Sequence, residues 1–437
     1  MKRYAVVGLG SRSSIYTHAL HTDYKEVGQL VAFCDLNQSR MDYWNAHYQH
    51  TLGTSPVPTY KPADFEAMLT EQKVDVVIVT SIDRTHDDYI LRAMHLGRDV
   101  ITEKPMTIDA PRCQRILDTV RTTGRNLTVT FNYRYALLPS KVKEVLQTGV
   151  LGKIVSVHFE WLLDTQHGAD YFRRWHRDKR NSGGLMVHKA THHFDVVNWW
   201  LASYPEVVYG IGQLAFYGRE NAEKRGMTTF YERAKGSNSA KDDPFALHLE
   251  QHQRLSALYA DAEHEDGYIR DRSVFADGIS IEDDMALLVR YASGTTMSYH
   301  LTAYSPWEGW RIAFNGTAGR LEAEIHQNSY ISGGAGDPNA PTIVGAHEAN
   351  LQESVLIRVR PHWSKPFDVD VPEATGGHGG GDERLLQDIF LPEREPDPLG
   401  RAAGFLDGAY SILTGIAANQ SFATGLPVRI ADLVQLL

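Results

Sequence analysis

The amino-terminal run "YAVVGLGSRS" constrains this chain more than any other stretch. Tyr4 to Val7 reads as a buried strand that breaks at glycine. Gly8 permits a tight turn, and Gly10 lets a pyrophosphate approach the backbone. The helix that follows directs its free N–H groups and positive dipole end at phosphate. Leu9, Ser11 and Arg12 belong to the same turn. Ser13 stands at the third fingerprint position, where glycine would allow closer helix–strand packing. The next strand, "QLVAFCDLN", ends in Asp35, placed to bind ribose hydroxyls and to repel a 2′-phosphate. NAD is therefore favoured over NADP, with Arg40 nearby as the one basic counterargument. "VDVVIVTS" (74–81) has the β-branched character of a strand buried on both faces. Strands and helices alternate up to "DVITEKP", which predicts an α/β domain with a doubly wound parallel sheet.

Lys104 follows the last of these strands, where such sheets bind ligands at their carboxyl ends. Pro105 restricts the backbone of Lys104. Desolvation there lowers a lysine toward neutrality and fits it for proton transfer.

The rest of the chain bounds the answer. Its 437 residues exceed one ordinary domain. The start lacks the long apolar segment of a secretory signal, and no stretch reaches the length of a membrane span. Cys34 and Cys113 have no metal-ligand spacing and fit a reducing compartment, so the expectation is a cytoplasmic protein. A net charge of −10 argues against general nucleic-acid affinity. We divide the chain into a dinucleotide-binding domain, 1–126, and an α+β domain, 127–437, which starts with a strand at 127–133. Alternating strands with turns at Ser293-Gly294 and at "NGTAG" predict a largely antiparallel open sheet, one face covered by helices. Residues 216–275 are polar and charged and read as an insertion of helix and loop, serving as a lid or as solvated decoration.

"SGGLMVHKATHHFD" (182–195) is the second dense motif. On a helix, His188, His192 and Asp195 share one face. Three readings stand: hydrogen-bonded histidines at a helix start, a metal site, and proton transfer beside a hydride acceptor. The zinc-protease glutamate and paired cysteines are missing, so we expect no metal.

"GLGSRS", "TSIDRTHDDYILRAMHLGRDVITEKP" and "GGLMVHKATHHFD" together resemble the Gfo/Idh/MocA oxidoreductase family across nearly the whole chain. The resemblance implies a Rossmann domain, a second domain that often oligomerises, here as a dimer or tetramer, and a nicotinamide cofactor between them. By position it places Thr80, Ser81, Asp83 and His86 along the cofactor, and Glu103 and Lys104 near the nicotinamide ribose and reacting carbon. It favours the proton-transfer reading, with His192 as principal acid/base and Lys104 as its partner. Where relatives carry an aspartate this chain has His188, followed by Lys189, so His188 either orients the substrate or shares the proton. A histidine in a loop such as "GGHGGGD" sits near substrate in the family, which makes His378 a candidate.

Trp175, Trp307 and Trp310, with Arg173, Arg174, Arg177 and Lys189, suggest a polar, stackable pocket, and Asp195 joins this set as a candidate substrate ligand. A carbohydrate, glycoside or cyclitol is the expected substrate class. The leading expectation is an NAD-dependent dehydrogenase acting on a secondary hydroxyl. Redox-neutral glycoside cleavage through transient oxidation and elimination is the alternative, and a non-catalytic cofactor-binding sensor ranks third.

Overall fold

The computed structural model describes residues 1–328, 331, 354–372, 380–393 and 396–436. Six strands build the first sheet: β1 (Lys2–Val7), β2 (Gly28–Cys34), β3 (Thr59–Tyr60), β4 (Val76–Val79), β5 (Asp99–Thr102) and β6 (Leu127–Val129). All pairings are parallel and the spatial order is β3-β2-β1-β4-β5-β6. The order reverses between β1 and β4, the switch point where doubly wound sheets bind ligands. Every residue of β4 is buried, as its unbroken Val/Ile run predicts for a strand covered on both faces.

The strand we assigned to the start of the second domain belongs to the first sheet. Leu127–Val129 pairs with Val100–Thr102, and the chain then turns through a 3₁₀ segment, Asn132–Tyr135. The strand is only three residues long, too short for its alternation to indicate which sheet it joins.

The second sheet has nine strands: β7 (Ile154–Asp164), β8 (Pro205–Gln213), β9 (Asp284–Tyr291), β10 (Thr296–Ser305), β11 (Gly309–Gly316), β12 (Gly319–His326), β13 (Ser354–Pro361), β14 (Phe367–Asp368) and β15 (Val428–Arg429). Their order is β14-β13-β12-β11-β7-β10-β9-β8-β15. Both expected hairpins form, β9–β10 and β11–β12. The β7–β10 pair is parallel and makes this otherwise antiparallel sheet mixed.

Alternate residues of β9, β10 and β12 are buried. That is the signature of a sheet with one face on the core. The helices Thr191–Leu201 and Phe405–Thr424 cover that face. Phe422 packs where a side chain on Gly210 or Gly212 would otherwise stand, and Ser421 accepts from the Gly210 N–H at 2.9 Å. On the other face Ile211 and Leu288 are 65% and 61% exposed. No helix among the described residues is long and apolar enough to cross a membrane.

Residues 216–275 form a strap of short helical turns and loops. On the second domain its end is fixed by Arg177, whose guanidinium donates to the carbonyls of Ser273, Ala276 and Asp277. On the first domain the strap meets the helix Gln38–Leu52, where the Glu265 carboxylate accepts from the N–H groups of Gln38 and Ser39 at 2.5 and 2.8 Å. It thus satisfies two donors that the first turn of a helix cannot satisfy itself.

Candidate active site

A cavity of about 700 Å³ opens at the carboxyl ends of β1, β4 and β5 and is closed by the second domain and the strap. Gly8 adopts φ +86°, and a Cβ there would lie 2.5 Å from the Ser81 Cα. The β1 turn and the β4 turn therefore touch backbone to backbone, which only glycine allows. Gly10, Ser11 and Arg12 line the cavity. Leu9 and Ser13 do not; both are fully buried. The Leu9 N–H donates to the Asp35 carboxylate, and the Ser13 hydroxyl donates to the Gly10 carbonyl at 2.7 Å. Their part is to hold the turn's shape, and Ser13 fills the third glycine position by folding its hydroxyl back onto the turn.

Asp35 accepts a further hydrogen bond from the Asn37 N–H at 2.7 Å and lines the cavity. Burial pushes its carboxyl up, against the pull of Arg40. Arg40 also lines the cavity, its Nη1 2.7 Å from Asp266 and 3.9 Å from Asp35 and its Nε donating to the Leu258 carbonyl at 2.9 Å.

At the end of β5, Glu103 is clamped by Arg12 Nε and the Tyr16 hydroxyl, both at 2.7 Å. Burial alone would raise its carboxyl, but Arg12 and Tyr16 more than offset this and hold it below the ordinary range. Lys104 points across the cleft, its Nζ 3.4 Å from the His188 carbonyl. Burial, helped by nearby Lys189, lowers its ammonium to about 8 despite Glu103 and Asp83. Lys104 is thus poised for proton exchange near neutral pH.

His188 and Asp83 meet across the domains, Nδ1 to Oδ2 at 2.5 Å, both nearly buried. Burial drives the carboxyl well up and the imidazole well down. Written as carboxylate with imidazolium or as acid with imidazole, the pair holds one shared proton. Nδ1 being committed to Asp83, Nε2 is the ring's remaining proton-exchanging atom. The His188 ring leans edge-on against His176 (4.1 Å between centroids), which stacks on Trp175 at 3.6 Å.

His192 also lines the cavity, its ring packed against Phe131 and Tyr133. Its helix is pinned by Asp195, whose carboxylate receives Nε and Nη2 of Arg134 at 2.7 and 2.5 Å. Asp195 is buried in that pair and does not line the cavity, so it is a positioning residue for His192 and not a substrate ligand. Arg177 is likewise outside the cavity, spent on the strap's carbonyls. Trp307 stacks on His326, and Trp310 is buried with its indole N–H on the Tyr133 hydroxyl at 2.7 Å; neither lines the cavity. Arg173 is spent on the carbonyls of Phe245 and Gln166. Thr80, Ser81, Asp83, His86, Arg174, Trp175 and Lys189 do line it. His378 lies outside the described residues.

Sequence reasoning missed a second wall. His167 Nδ1 meets Glu308 at 2.7 Å and its Nε2 meets the Tyr171 hydroxyl at 3.1 Å. Burial and the Lys189 ammonium lower His167 to about 3, so it is neutral and donates to Glu308. Lys189 stands 5.1 Å over the Trp161 ring. The strap adds Tyr259, Asp266, Tyr268 and Arg270. These residues are scattered over the chain without motif spacing, so only the assembled sheet and strap bring them together. No group of three or more His, Cys, Asp or Glu among the described residues is arranged to hold a metal ion.

Comparisons with known proteins agree with this architecture. Residues 2–131 match an oxidoreductase family's NAD-binding Rossmann fold, and residues 143–430 match that family's C-terminal alpha/beta domain. Oxidoreductase YteT of Bacillus subtilis (strain 168) is 34% identical over 459 aligned residues, covering 100% of this chain and 99% of its own. The D-glucoside 3-dehydrogenase of Escherichia coli (strain K12) is 32% identical over 152 residues, 35% of this chain and 41% of its own. The WlbA dehydrogenase from Bordetella pertussis, solved in complex with NADH and UDP-GlcNAcA, shares the fold with a TM-score of 0.61 at 16% identity over 98% of each chain. The chain belongs to the Gfo/Idh/MocA family of oxidoreductases.

Proposed function

We propose that this oxidoreductase oxidises a secondary hydroxyl of a sugar, glycoside or cyclitol to the ketone, with NAD as its cofactor. The observation that carries the proposal is Lys104, a buried ammonium lowered to about 8 at the end of β5, in one cavity with His192 and the Asp83–His188 pair. The cradle fits a dinucleotide: the Gly8–Ser81 contact leaves backbone where side chains would intrude, and Asp35 stands beside it. The acid supports NAD over NADP.

When bound, the dinucleotide supplies a hydride acceptor. The chain's own task is the hydroxyl proton. Neutral Lys104 accepts it, and His192 and His188 Nε2 hold the same oxygen and relay the proton outward. Trp175 suits an apolar sugar face, while His167 and Glu308 suit its hydroxyls. The name of the glucoside dehydrogenase relative supports the substrate class.

NADH production with a panel of glycosides and cyclitols tests the reading. Absence of turnover with NAD and with NADP across the panel would count against it. The Asp83–His188 pair favours one second reading, redox-neutral cleavage. A base beyond Lys104 would remove the proton from the carbon next to the transient ketone, and the aglycone would leave with its bonding electrons and take up a proton. Water would then add to the resulting enone, a solvent proton would return to that carbon, and the hydride would reduce the ketone again. Aglycone release without net NADH, with solvent deuterium entering that carbon, distinguishes it. We also infer self-association through the exposed face of the second sheet.

A further inference from the structure

The strap reaches the glycine-rich turn at one point. The Tyr259 hydroxyl accepts from the Ser11 N–H at 2.9 Å, lies 3.0 Å from the Ser11 Oγ, and would stand 3.4 Å from a Cβ on Gly10. A phosphate oxygen seated on this turn would accept from the same N–H. The phenol oxygen therefore marks where the anion goes.

Directly against Tyr259 lies Arg270, its guanidinium 4.6 Å from the ring centroid. Arg270 lines the cavity and is only 1% exposed. Among the described residues its Nε and Nη2 have no hydrogen-bond partner. Among the described residues the carboxylate paired with it, Asp170, is 3.9 Å away and already takes Arg174 Nη1 at 2.7 Å, with Arg173 Nε at 4.0 Å. One carboxylate thus faces three guanidinium groups. A buried arginine with unused donors and too little counter-charge calls for an anion. The same positive field acts on Tyr259: burial works to raise its hydroxyl, but Arg270 and Arg174 outweigh burial and lower it.

We propose that Arg270, carried by the 216–275 strap of the second domain, is a ligand of the cofactor's pyrophosphate and completes from outside the half-site built by the glycine-rich turn. The strap is then part of the dinucleotide site and slows release. This rests on the dinucleotide reading of the cradle. The opposing anion source is a carboxylate on the substrate, and the experiment distinguishes the two.

The test uses the full chain and reads binding, not turnover. Affinities for NADH and for ADP-ribose are measured by NADH fluorescence and its displacement, with adenosine, which lacks phosphate, as the control competitor. Arg270→Met should weaken NADH and ADP-ribose alike by about 10- to 100-fold, the usual effect of losing a charge-assisted hydrogen bond. It should leave adenosine unchanged and speed NADH release. Arg270→Lys, which keeps the charge and guards against a folding failure, should fall between Met and wild type. Wild-type NADH affinity in Arg270→Met, with a raised KM for the sugar, would assign Arg270 to the substrate and overturn the proposal. Equal losses for NADH and adenosine would reduce the strap to packing and overturn it too. A wild-type chain that binds no dinucleotide would instead sink the reading of the cradle itself.

Discussion

Lys104 and His188 put the proposed chemistry within reach of single substitutions. Because Lys104 is lowered to about 8 by burial, it is neutral only above that pH. The rate of alcohol oxidation should rise with pH through a limb near 8, and Lys104→Met should lose about 10²- to 10⁴-fold in kcat together with that limb. His188→Asp should place a second carboxylate against Asp83, which now lies 2.5 Å from the His188 ring. Two buried carboxylates share one proton, so the folded variant binds a proton that the unfolded chain releases. Its stability should fall as pH rises from 5 to 8, costing about 3 kcal/mol at the upper end; denaturant titrations at both values would show a flat response if the pair were not in contact. The sequence singled out His188 within its histidine-rich motif. It could not reveal Asp83 as its partner, because that contact joins two domains far apart in the chain.

At the scale of elements, strands with strong apolar runs were legible and short or composite ones were not. β1, β4 and β5 are read directly from their Val/Ile runs, and both hairpins from their turns. β6 is three residues long, too short for its sequence to show that it joins the first sheet. The insertion could be seen as polar chain, but its course over the first domain depends on contacts such as Glu265 at the helix Gln38–Leu52. Glu265→Ala should cost about 1 kcal/mol of local anchoring, as lost helix caps do. The visible result would be faster proteolytic cleavage within 216–275 at neutral pH; unchanged cleavage would show that the cap does not hold the strap. The tryptophans show the same limit. Trp175 reaches the cavity from a 3₁₀ turn while Trp310, on β11, is buried among core rings, a difference set by tertiary placement and invisible in composition.

For the whole molecule, the two sheets divide the labour: the parallel sheet carries the cradle and Lys104, and the mixed sheet carries the wall opposite. The outer face of the mixed sheet leaves Ile211 and Leu288 to solvent, the kind of patch that marks an interface between copies. Leu288→Glu should shift sedimentation from dimer or tetramer toward monomer; an unchanged mass would place any interface elsewhere. A different property follows from the strap's two anchorages, Arg177 on one side and Glu265 on the other. Tied in this way, neither half can melt without stripping the other of hydrogen bonds, so calorimetry should record one endotherm in place of two. Two domains by architecture should then unfold as a single cooperative unit.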